Sequence, residues 1–424
     1  MSPAKAGTPG EPGSRGFRTY WALAALIVGL GLGAFVGNRS QVALDLASFV
    51  GTLWLNALKM TVIPLVIALL VVGIAKSHEA AIAGRIAARS VLWIVIICTA
   101  SAVFGALAIL FLTAMFPLAR ETAMGLQTAL AGIEKSSAPV AGVADFFKGV
   151  IPDNVFAAAT NGDILPLVVF SVLFALALAK VSETGRRAIV GLFEAIADAL
   201  LVIIAWVLAV APLGVFALAY TVGSAAGGSA FAGLGHYVVL ISLIGILVTL
   251  AGYPLAALVG GVGFARFTRA MIPPQAVAVS TRSSLASLPA LLAATRVLGI
   301  REQVADVSLP IAVALFRATG PAMNTAVAFY VAHWLALEPT VPQMIAATAV
   351  GAVMSYGAVS LPGEVSFISS IAPIAMALGV PIAPLALLVA VEMIPDIFRT
   401  VGNVMFDVVL ATIVNRRVPD VPAS

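Results

Sequence analysis

The polar residues with the clearest chemical potential lie close together near the C-terminus. They are Asp396, Arg399, Thr400, Asn403 and Asp407, spaced i, i+3, i+4, i+7 and i+11, and this spacing places them along one face of a helix. The planar guanidinium of an arginine binds a carboxylate through two parallel hydrogen bonds, so this face has the composition of a site for a small organic anion. The alternative is a structural Asp–Arg pair that satisfies itself and binds nothing.

A second polar cluster interrupts the chain between Ser280 and Pro289, with the sequence STRSSLASLP. If two half-helices meet at this cluster, free N–H groups and positive dipole ends point inward and suit an anion. We therefore add Arg282, Ser283 and Ser284 to the candidate binding residues. Two alternatives are that the serines only cap a helix, and that the cluster is a cytoplasmic loop between apolar segments.

The composition of the chain is that of an integral membrane protein. Of its 424 residues, 61% are hydrophobic and only 10% are charged, against about 25% charged in soluble domains. Long apolar runs recur, without the alternation of a membrane β-barrel, and they predict an all-α fold. The net charge of +4 comes mostly from basic residues between apolar runs, so it does not indicate a nucleic-acid partner.

The sequence favours neither an enzyme nor a metal protein. The single cysteine, Cys98, excludes an intrachain disulfide and a cysteine-based metal cluster, and the three histidines lie far apart. Serine chemistry requires a base beside the nucleophile. Neither a nearby histidine nor a G-x-S-x-G motif accompanies Ser283 or Ser284, so we expect no catalytic residues and no cofactor.

Apolar runs and basic loops predict the topology of the first half of the chain. The runs cover about 20–37, 45–75, 90–116, 163–181, 195–222 and 236–263. Lys and Arg cluster before the first run and after every second one, so the N-terminus is cytoplasmic, and residues 1–19 read as a disordered tail. Gly29, Gly33 and Gly37 repeat every four residues, which indicates either a small-residue packing face or local flexibility.

After residue 264, Ser, Gly and Pro repeatedly break the apolar pattern. The polar segments are at 280–289, 316–324, 355–366 and 394–407. Irregular backbone at membrane depth survives only where protein or a water-filled cavity surrounds it. Two short, interrupted segments in matching positions are typical of a transporter's binding site.

Several motifs, in order along the chain, resemble the dicarboxylate/amino acid:cation symporter family, which includes prokaryotic glutamate and aspartate transporters. They are LKMTVIPLVIALLVVG, IPDNVFAAATNGDILPLVVFSVLFALAL, APLGVFALAY, STRSSLASLP, SLPGEVS and DIFRTVGNVMFD. The resemblance implies eight transmembrane helices plus two re-entrant helical hairpins, assembled as an elevator-type homotrimer. Six helices would lie in 20–263, shared between a scaffold and the transport domain. The core of the transport domain would occupy 264–415, before a cytoplasmic tail at 416–424.

The same resemblance implies a multi-pass protein of the inner cell membrane, with both termini cytoplasmic, and it assigns roles on the eighth helix. By position, Asp396 would receive the amino group of the substrate and Arg399 would bind its side-chain carboxylate. Asn403 would hold the α-carboxylate, and Thr400 belongs to the same ligand face. Relatives that carry neutral amino acids usually lack the arginine, so Arg399 favours an acidic substrate.

Both hairpin tips carry further family positions. In the first hairpin, Ser283 and Ser284 match residues that contact the substrate carboxylate, and Arg282 matches a basic position near the eighth-helix aspartate. In the second hairpin, Pro362 and Gly363 match the tip of the family's gate.

The chain departs from the family at the cation-binding motif Asn-Met-Asp-Gly-Thr. Counted without gaps, that motif falls on 316–320, which reads FRATG, although Asn403 and Asp407 of one sodium site remain. Sodium needs several oxygen ligands, and here a carboxylate is lost while Arg317 is gained. We expect Arg317 to supply the charge that sodium would bring, paired with Asp407 or Glu364. The alternative is that Arg317 contacts an anionic substrate directly.

Coupling would then shift to protons, with Glu364 or Asp396 as carriers, while Asn403 and Asp407 complete the cation-coupling candidates. Glu364 replaces a small residue of the family, and it either points to the outer solvent, pairs with an arginine or carries a proton. The expected function is a symporter of glutamate, aspartate or C4-dicarboxylates coupled to H+ or Na+. The alternatives are a sodium-coupled symporter of another amino acid and an anion-conducting, channel-like relative.

Overall fold

The computed structural model describes residues 12–36, 40–82, 84–119, 122, 124, 151–227, 229–357 and 363–417. Every regular element within these ranges is a helix, which confirms the predicted all-α class. Six of the described helices are long and apolar enough to cross a membrane, and shorter apolar helices accompany them. The arrangement of eight spans and two re-entrant hairpins remains a prediction.

The described helices of the first half agree with the predicted apolar runs, with differences at their ends. They are α1 (Pro12–Val36), α2 (Gln41–Ile82), α3 (Arg85–Met115), α4 (Val155–Asn161), α5 (Ile164–Leu178), α6 (Glu183–Ala209), α7 (Ala211–Ala226) and α8 (Ser229–Leu258). Because α1 begins at Pro12, it includes the last residues of the segment predicted as a disordered tail. The predicted fifth span is divided into α6 and α7, since Pro212 in the first turn of α7 has no N–H to continue α6.

In the second half, three of the four polar segments coincide with helix ends. The helices are α9 (Phe264–Thr281), α10 (Leu288–Leu298), α11 (Glu302–Leu315), α12 (Thr319–Trp334), α13 (Val341–Gly357), α14 (Gly363–Leu378), α15 (Ala383–Leu388) and α16 (Met393–Arg417). The fourth segment, 394–407, lies inside α16, in agreement with the helical spacing of its polar residues. This helix also continues into the segment predicted as the C-terminal tail, as far as Arg417.

The packing of the second half surrounds α16 with other helices. Consecutive helices α9 and α10 contact each other, as do α13 and α14, so each pair forms a helical hairpin. The neighbours of α16 are α3, α8, α9, α10, α11 and α12. Of its most apolar window, 78% is buried within the chain, against 11% for α6. The polar face of α16 therefore lies in the protein interior and requires partners there.

Small residues allow α1 to approach α7 closely. A Cβ atom added to Gly29 or Gly33 would come within 2.7 and 2.2 Å, respectively, of backbone oxygens of α7. A Cβ atom added to Gly31, on the same helix, would meet nothing within 4 Å. The packing-face interpretation is therefore confirmed for Gly29 and Gly33, while Gly37 lies outside the described residues.

Replacing Gly33 with alanine should destabilise the protein, because α1 and α7 must separate to admit the methyl group, and overpacking of this kind costs about 1–3 kcal/mol. The matched control is Gly31→Ala, which should leave stability unchanged or raise it by up to ~1 kcal/mol, since alanine favours helix over glycine. Thermal melts of the purified variants in one detergent measure the difference. Equal melting temperatures for Gly33→Ala and the parent would contradict the close approach.

Candidate functional site

The break between α11 and α12 is held against α16 by an asparagine. Phe316 ends α11 in an extended conformation, and α12 begins at Thr319. The buried side-chain oxygen Oδ1 of Asn403 accepts a hydrogen bond from the Thr319 N–H at 3.0 Å and lies 2.6 Å from the Thr319 hydroxyl. That hydroxyl is also 2.6 Å from the carbonyl oxygen of Arg399. Asn403 thus satisfies a free N–H at the start of α12 and fixes the break beside the polar face of α16.

The third helix reaches the same break through a serine that the sequence analysis missed. The Ser101 hydroxyl donates a hydrogen bond to the carbonyl oxygen of Ala318, which lies within the break. A single serine in the apolar run of α3 resembles any serine that bonds to its own helix, so the sequence carried no signal for this contact. The contact connects α3 to the irregular backbone at 316–318.

Arg317 lies within this break and faces Asp407. Its Nη1 donates to the carbonyl oxygens of Val313 at 3.1 Å and Phe316 at 3.3 Å. Arg317 and the fully buried Asp407 attract each other electrostatically, and both carboxylate oxygens of Asp407 lack a hydrogen-bond partner among the described residues. Of the two partners predicted for Arg317, Asp407 lies near enough to influence its charge, and the pairing with Glu364, whose surroundings are not described, stays a prediction.

A second buried arginine lies further towards the start of α16. The side chain of Arg399 is 12% exposed. Its Nη1 forms an ion pair with Glu392 and lies 3.4 Å from Oδ1 of Asp396. Its Nε and Nη2 are buried and have no hydrogen-bond partner among the described residues. Since Nε and Nη2 form one edge of the guanidinium, Arg399 keeps a complete two-donor edge of the kind that a carboxylate binds.

Glu392 is the residue of this site that sequence reasoning missed. It lies between α15 and α16, is 2% exposed, and accepts a hydrogen bond from the Tyr237 hydroxyl of α8 at 2.8 Å. One signal was present: Glu392 is an acidic residue in an apolar run, four residues before Asp396 and seven before Arg399. This spacing continues the polar face of α16 by a further turn.

The other predicted residues of α16, Asp396 and Thr400, make contacts within the helix itself. Asp396 is only slightly exposed, and its side chain lies near Arg399. The Thr400 hydroxyl donates to the carbonyl oxygen of Asp396 at 2.9 Å, within the helix. The structural Asp–Arg pair considered as an alternative therefore exists, but it occupies only one nitrogen of the guanidinium.

The first hairpin turns at the serine cluster, and its serines do cap the turn. Arg282 ends α9 in the left-handed conformation, with φ of 50°. Ser283 Oγ accepts from the N–H of Ala286 at 3.2 Å, and the Ser283 carbonyl accepts from the Ser287 hydroxyl at 3.0 Å. Ser284 is buried at 8% exposure. Because α9 and α10 both contact α16, this capped turn belongs to a hairpin that packs against the candidate binding helix.

The tip of the second hairpin is described only in part. Pro362 lies outside the described residues. Gly363 and Glu364 belong to the first turn of α14, but their surroundings are not described. The gate role of Pro362 and Gly363, and the three alternatives for Glu364, remain predictions.

The site therefore contains two buried arginine–carboxylate centres joined by a polar bridge. Arg399 with Glu392 and Asp396 forms one centre, and Arg317 with Asp407 forms the other. Asn403 lies between them along α16 and connects to the break through Thr319. Such an arrangement can bind a carboxylate at the first centre and hold a fixed positive charge at the second.

Comparison with known proteins identifies the family to which the sequence is similar. The sequence model of the sodium:dicarboxylate symporter family matches residues 20–417. The chain is 29% identical over 398 residues to the proton/sodium-glutamate symport protein of Bacillus subtilis, covering 92% of this chain and 91% of the relative. It is 28% identical over 400 residues to the proton/glutamate-aspartate symporter of Escherichia coli, with coverages of 92% and 90%.

A third relative extends the range of named substrates. The C4-dicarboxylate transport protein of Laribacter hongkongensis is 27% identical over 410 residues, covering 93% of this chain and 88% of the relative. All three relatives are transporters and not enzymes, as the absence of catalytic motifs predicted. Because the family match extends over nearly the whole sequence, the chain belongs to the sodium:dicarboxylate symporter family.

Proposed function

We propose that the protein is a proton-coupled symporter that carries acidic amino acids or C4-dicarboxylates across the inner cell membrane. The observation that supports this most directly is the buried Nε–Nη2 edge of Arg399, which has no hydrogen-bond partner among the residues that the structure describes. A buried donor pair without an acceptor is costly, and the carboxylate of an acidic substrate satisfies both donors at once. The relatives named for glutamate, aspartate and C4-dicarboxylates fit the same chemistry.

The remaining substrate contacts are proposed from the polar groups near this edge that are not fully used by contacts within the protein. The Asn403 side chain uses its oxygen towards Thr319, which leaves its NH2 group to donate to a second carboxylate. Asp396 is an acceptor for a substrate ammonium group. Ser283 and Ser284, in the turn of the first hairpin, close the site from the side of α9 and α10.

Replacing Arg399 with threonine should weaken acidic ligands first, because the two-donor edge is lost. We expect the thermal shift that saturating L-aspartate or succinate induces in the parent protein to disappear in Arg399→Thr. The matched control is Arg296→Thr, since Arg296 is exposed and only 3.8 Å from an equally exposed Glu302. Unchanged ligand-induced shifts in Arg399→Thr would remove Arg399 from the site.

The second centre supports proton rather than sodium coupling. Arg317 donates to the carbonyl oxygens of Val313, in the last turn of α11, and of Phe316, in the break, and interacts electrostatically with Asp407. These are oxygen groups of the type that sodium requires, and the guanidinium already supplies a positive charge to them. Because the guanidinium of Arg317 is a permanent cation beside Asp407, no sodium ion is needed there. The coupling ion therefore acts elsewhere in the site.

Proteoliposomes provide the direct measurement of the coupling ion. An inward pH gradient without sodium should drive concentrative uptake of labelled aspartate or succinate, whereas a sodium gradient without a pH gradient should not. Liposomes that lack the protein are the control for leakage. Strong sodium dependence with a steep Hill slope would contradict the proposal.

A double substitution tests whether Arg317 is a built-in partner of Asp407. Arg317→Met leaves Asp407 buried without a counter-charge, and breaking a buried pair in this way costs about 3–5 kcal/mol. The double variant Arg317→Met with Asp407→Leu removes both charges, so most of the lost stability should return. Thermal or denaturant unfolding of the parent, the two single variants and the double variant gives the coupling energy. If Arg317→Met instead keeps full stability and loses ligand binding, Arg317 contacts the substrate.

The proposed assembly follows from the uncovered surface of the first half. Helix α6 buries little of its most apolar window against the rest of the chain, so its surface is left for lipid or for neighbouring subunits. We assign this surface to a homotrimer embedded in the bilayer, with both chain termini in the cytoplasm. This assignment rests on family membership together with the apolar, uncovered character of α6.

A further inference from the structure

Glu392 pairs with one nitrogen of the Arg399 guanidinium, and the proposed substrate binds the other two. Its carboxylate pairs with Nη1, while the substrate edge is formed by Nε and Nη2. Glu392 is more deeply buried than Asp396, since their side chains are 3% and 13% exposed. The substrate and Glu392 would thus both be attracted to the positive charge of Arg399, but each would pair with different N–H groups of its guanidinium.

Charge counting shows what happens when a substrate carboxylate arrives. Before binding, the guanidinium of Arg399 faces two carboxylates, those of Glu392 and Asp396. A substrate carboxylate adds a third negative charge around one positive charge. In a buried environment, like charges disfavour one another and an uncompensated group becomes neutral instead. Proton uptake by one of the carboxylates would relieve the additional negative charge.

We propose that Glu392 is the group that takes up the coupled proton when a substrate carboxylate binds Arg399. This inference rests on the proposed function and names the carrier within it. An acidic amino acid brings an ammonium group that compensates Asp396, and a dicarboxylate leaves the slightly exposed Asp396 in reach of water. Glu392 is nearly fully buried, and it has neither a compensating ammonium group nor access to water. The step forms one O–H bond on the Glu392 carboxylate, with a proton from the outer solution, and it breaks no bond in the substrate.

The surroundings of Glu392 are suited to holding a proton reversibly. From α16 it faces Arg399 and Asp396, and from α8 it faces Tyr237, whose hydroxyl donates to Oε2. Because Oε2 is occupied as an acceptor in the charged form, a proton on Glu392 weakens only the pairing with Arg399. Release of the substrate restores that pairing and expels the proton.

Aromatic and titratable side chains lie between Glu392 and a less buried part of the protein. The ring of Tyr237 packs against the ring of Tyr330 of α12, with centroids 5.5 Å apart. The Tyr330 hydroxyl lies 2.9 Å from Nδ1 of the half-buried His236, whose Nε2 lies 2.8 Å from the carbonyl oxygen of Phe116. His333, on α12, interacts electrostatically with His236. These titratable groups complete the surroundings of Glu392 on α8 and α12.

The other carboxylates of the site fit the role less well. Asp407 already faces Arg317, so the arrival of a substrate at Arg399 does not add a charge to its own pair. Asp396 was the sequence-based candidate and remains the natural acceptor for a substrate ammonium group. The position of Glu392 opposite the substrate edge explains coupling for both amino acids and dicarboxylates.

Proton uptake on substrate binding tests the proposal in purified protein. L-aspartate, L-glutamate or succinate is added to the protein in weakly buffered detergent solution that contains a pH indicator. The parent should take up about one proton per bound substrate, the value for a single linked group. Glu392→Gln should still bind the probe, since the amide keeps its oxygen towards Arg399 while its NH2 group can donate to the Tyr237 hydroxyl oxygen, but it should take up no proton. Glu392→Asp should restore uptake.

The matched control is Asp306→Asn, which removes an exposed carboxylate of α11 and should leave proton uptake unchanged. In proteoliposomes, Glu392→Gln should exchange internal for external substrate but fail to accumulate it under a pH gradient. A merely structural glutamate would affect both activities alike. Full proton uptake by Glu392→Gln would overturn the proposal and indicate Asp396.

If Glu392→Gln does not fold, Tyr237→Phe provides the second test, because it removes the donor to Glu392 and keeps the carboxylate. Its proton uptake should occur over a displaced pH range, and an unchanged range would overturn the proposal. Failure of the proposed function has a different signature, since the parent protein would then bind none of the three probes. That outcome would refute the carrier role together with the function on which it rests.

Discussion

The constraint on which the site depends is that a charge buried in an apolar interior must be paired. Isolated burial of an ionised group is so costly that it survives only with a counter-charge or hydrogen-bond partners. Both buried arginines obey this constraint through α16 and the turn that precedes it: Arg317 faces Asp407, and Arg399 faces Glu392 and Asp396. The two centres differ in how many of the N–H donors of the arginine have hydrogen-bond partners. Arg317 gives hydrogen bonds to backbone carbonyls, whereas two buried donors of Arg399 have no partner within the described part of the chain. That difference separates a fixed internal charge from a position prepared for a ligand.

Broken helices make this arrangement possible. A continuous helix satisfies its own backbone groups and offers none to a neighbour, but the break at 316–318 exposes carbonyls and the first N–H groups of α12. These groups are satisfied by side chains of other helices: Ser101 donates to the Ala318 carbonyl, and Asn403 accepts from the Thr319 N–H. The break is therefore part of a network that ties α3, α12 and α16 together. Irregular backbone of this kind is tolerated at membrane depth because protein surrounds it.

The sequence predicted the parts of this site that lie on one regular element, and it missed those that depend on the meeting of several. The helical spacing from Asp396 to Asp407 was sufficient to place those residues on one face, and the structure has α16 continuous there. The gain of Arg317 beside a lost carboxylate was sufficient to predict Asp407 as one of two partners. Glu392 was missed although its helical spacing from Asp396 and Arg399 was present in the sequence, because it precedes α16 and lies at the end of an apolar run. Ser101 and Tyr237 were missed because the groups they contact, a backbone carbonyl and a carboxylate, are more than a hundred residues away in the sequence. A local sequence pattern cannot predict contacts between residues that lie so far apart in the chain.

In the proposed mechanism, the absence of an external cation at the Arg317–Asp407 centre changes what the Arg399 centre must do. In a symporter, the coupling ion and the substrate must each favour the binding of the other, so the ion has to act where its charge is felt by the substrate. With Arg317 permanently in place, the charge opposite Asp407 is the same whether or not the substrate is bound. Coupling therefore requires a group whose charge changes and which shares a partner with the substrate. Among the described residues, Glu392 meets both conditions, because the same guanidinium that pairs with it offers its remaining edge to the ligand. In the proposed mechanism, the physical reason for coupling is competition between the carboxylates of Glu392 and the substrate for one buried guanidinium, relieved by a proton.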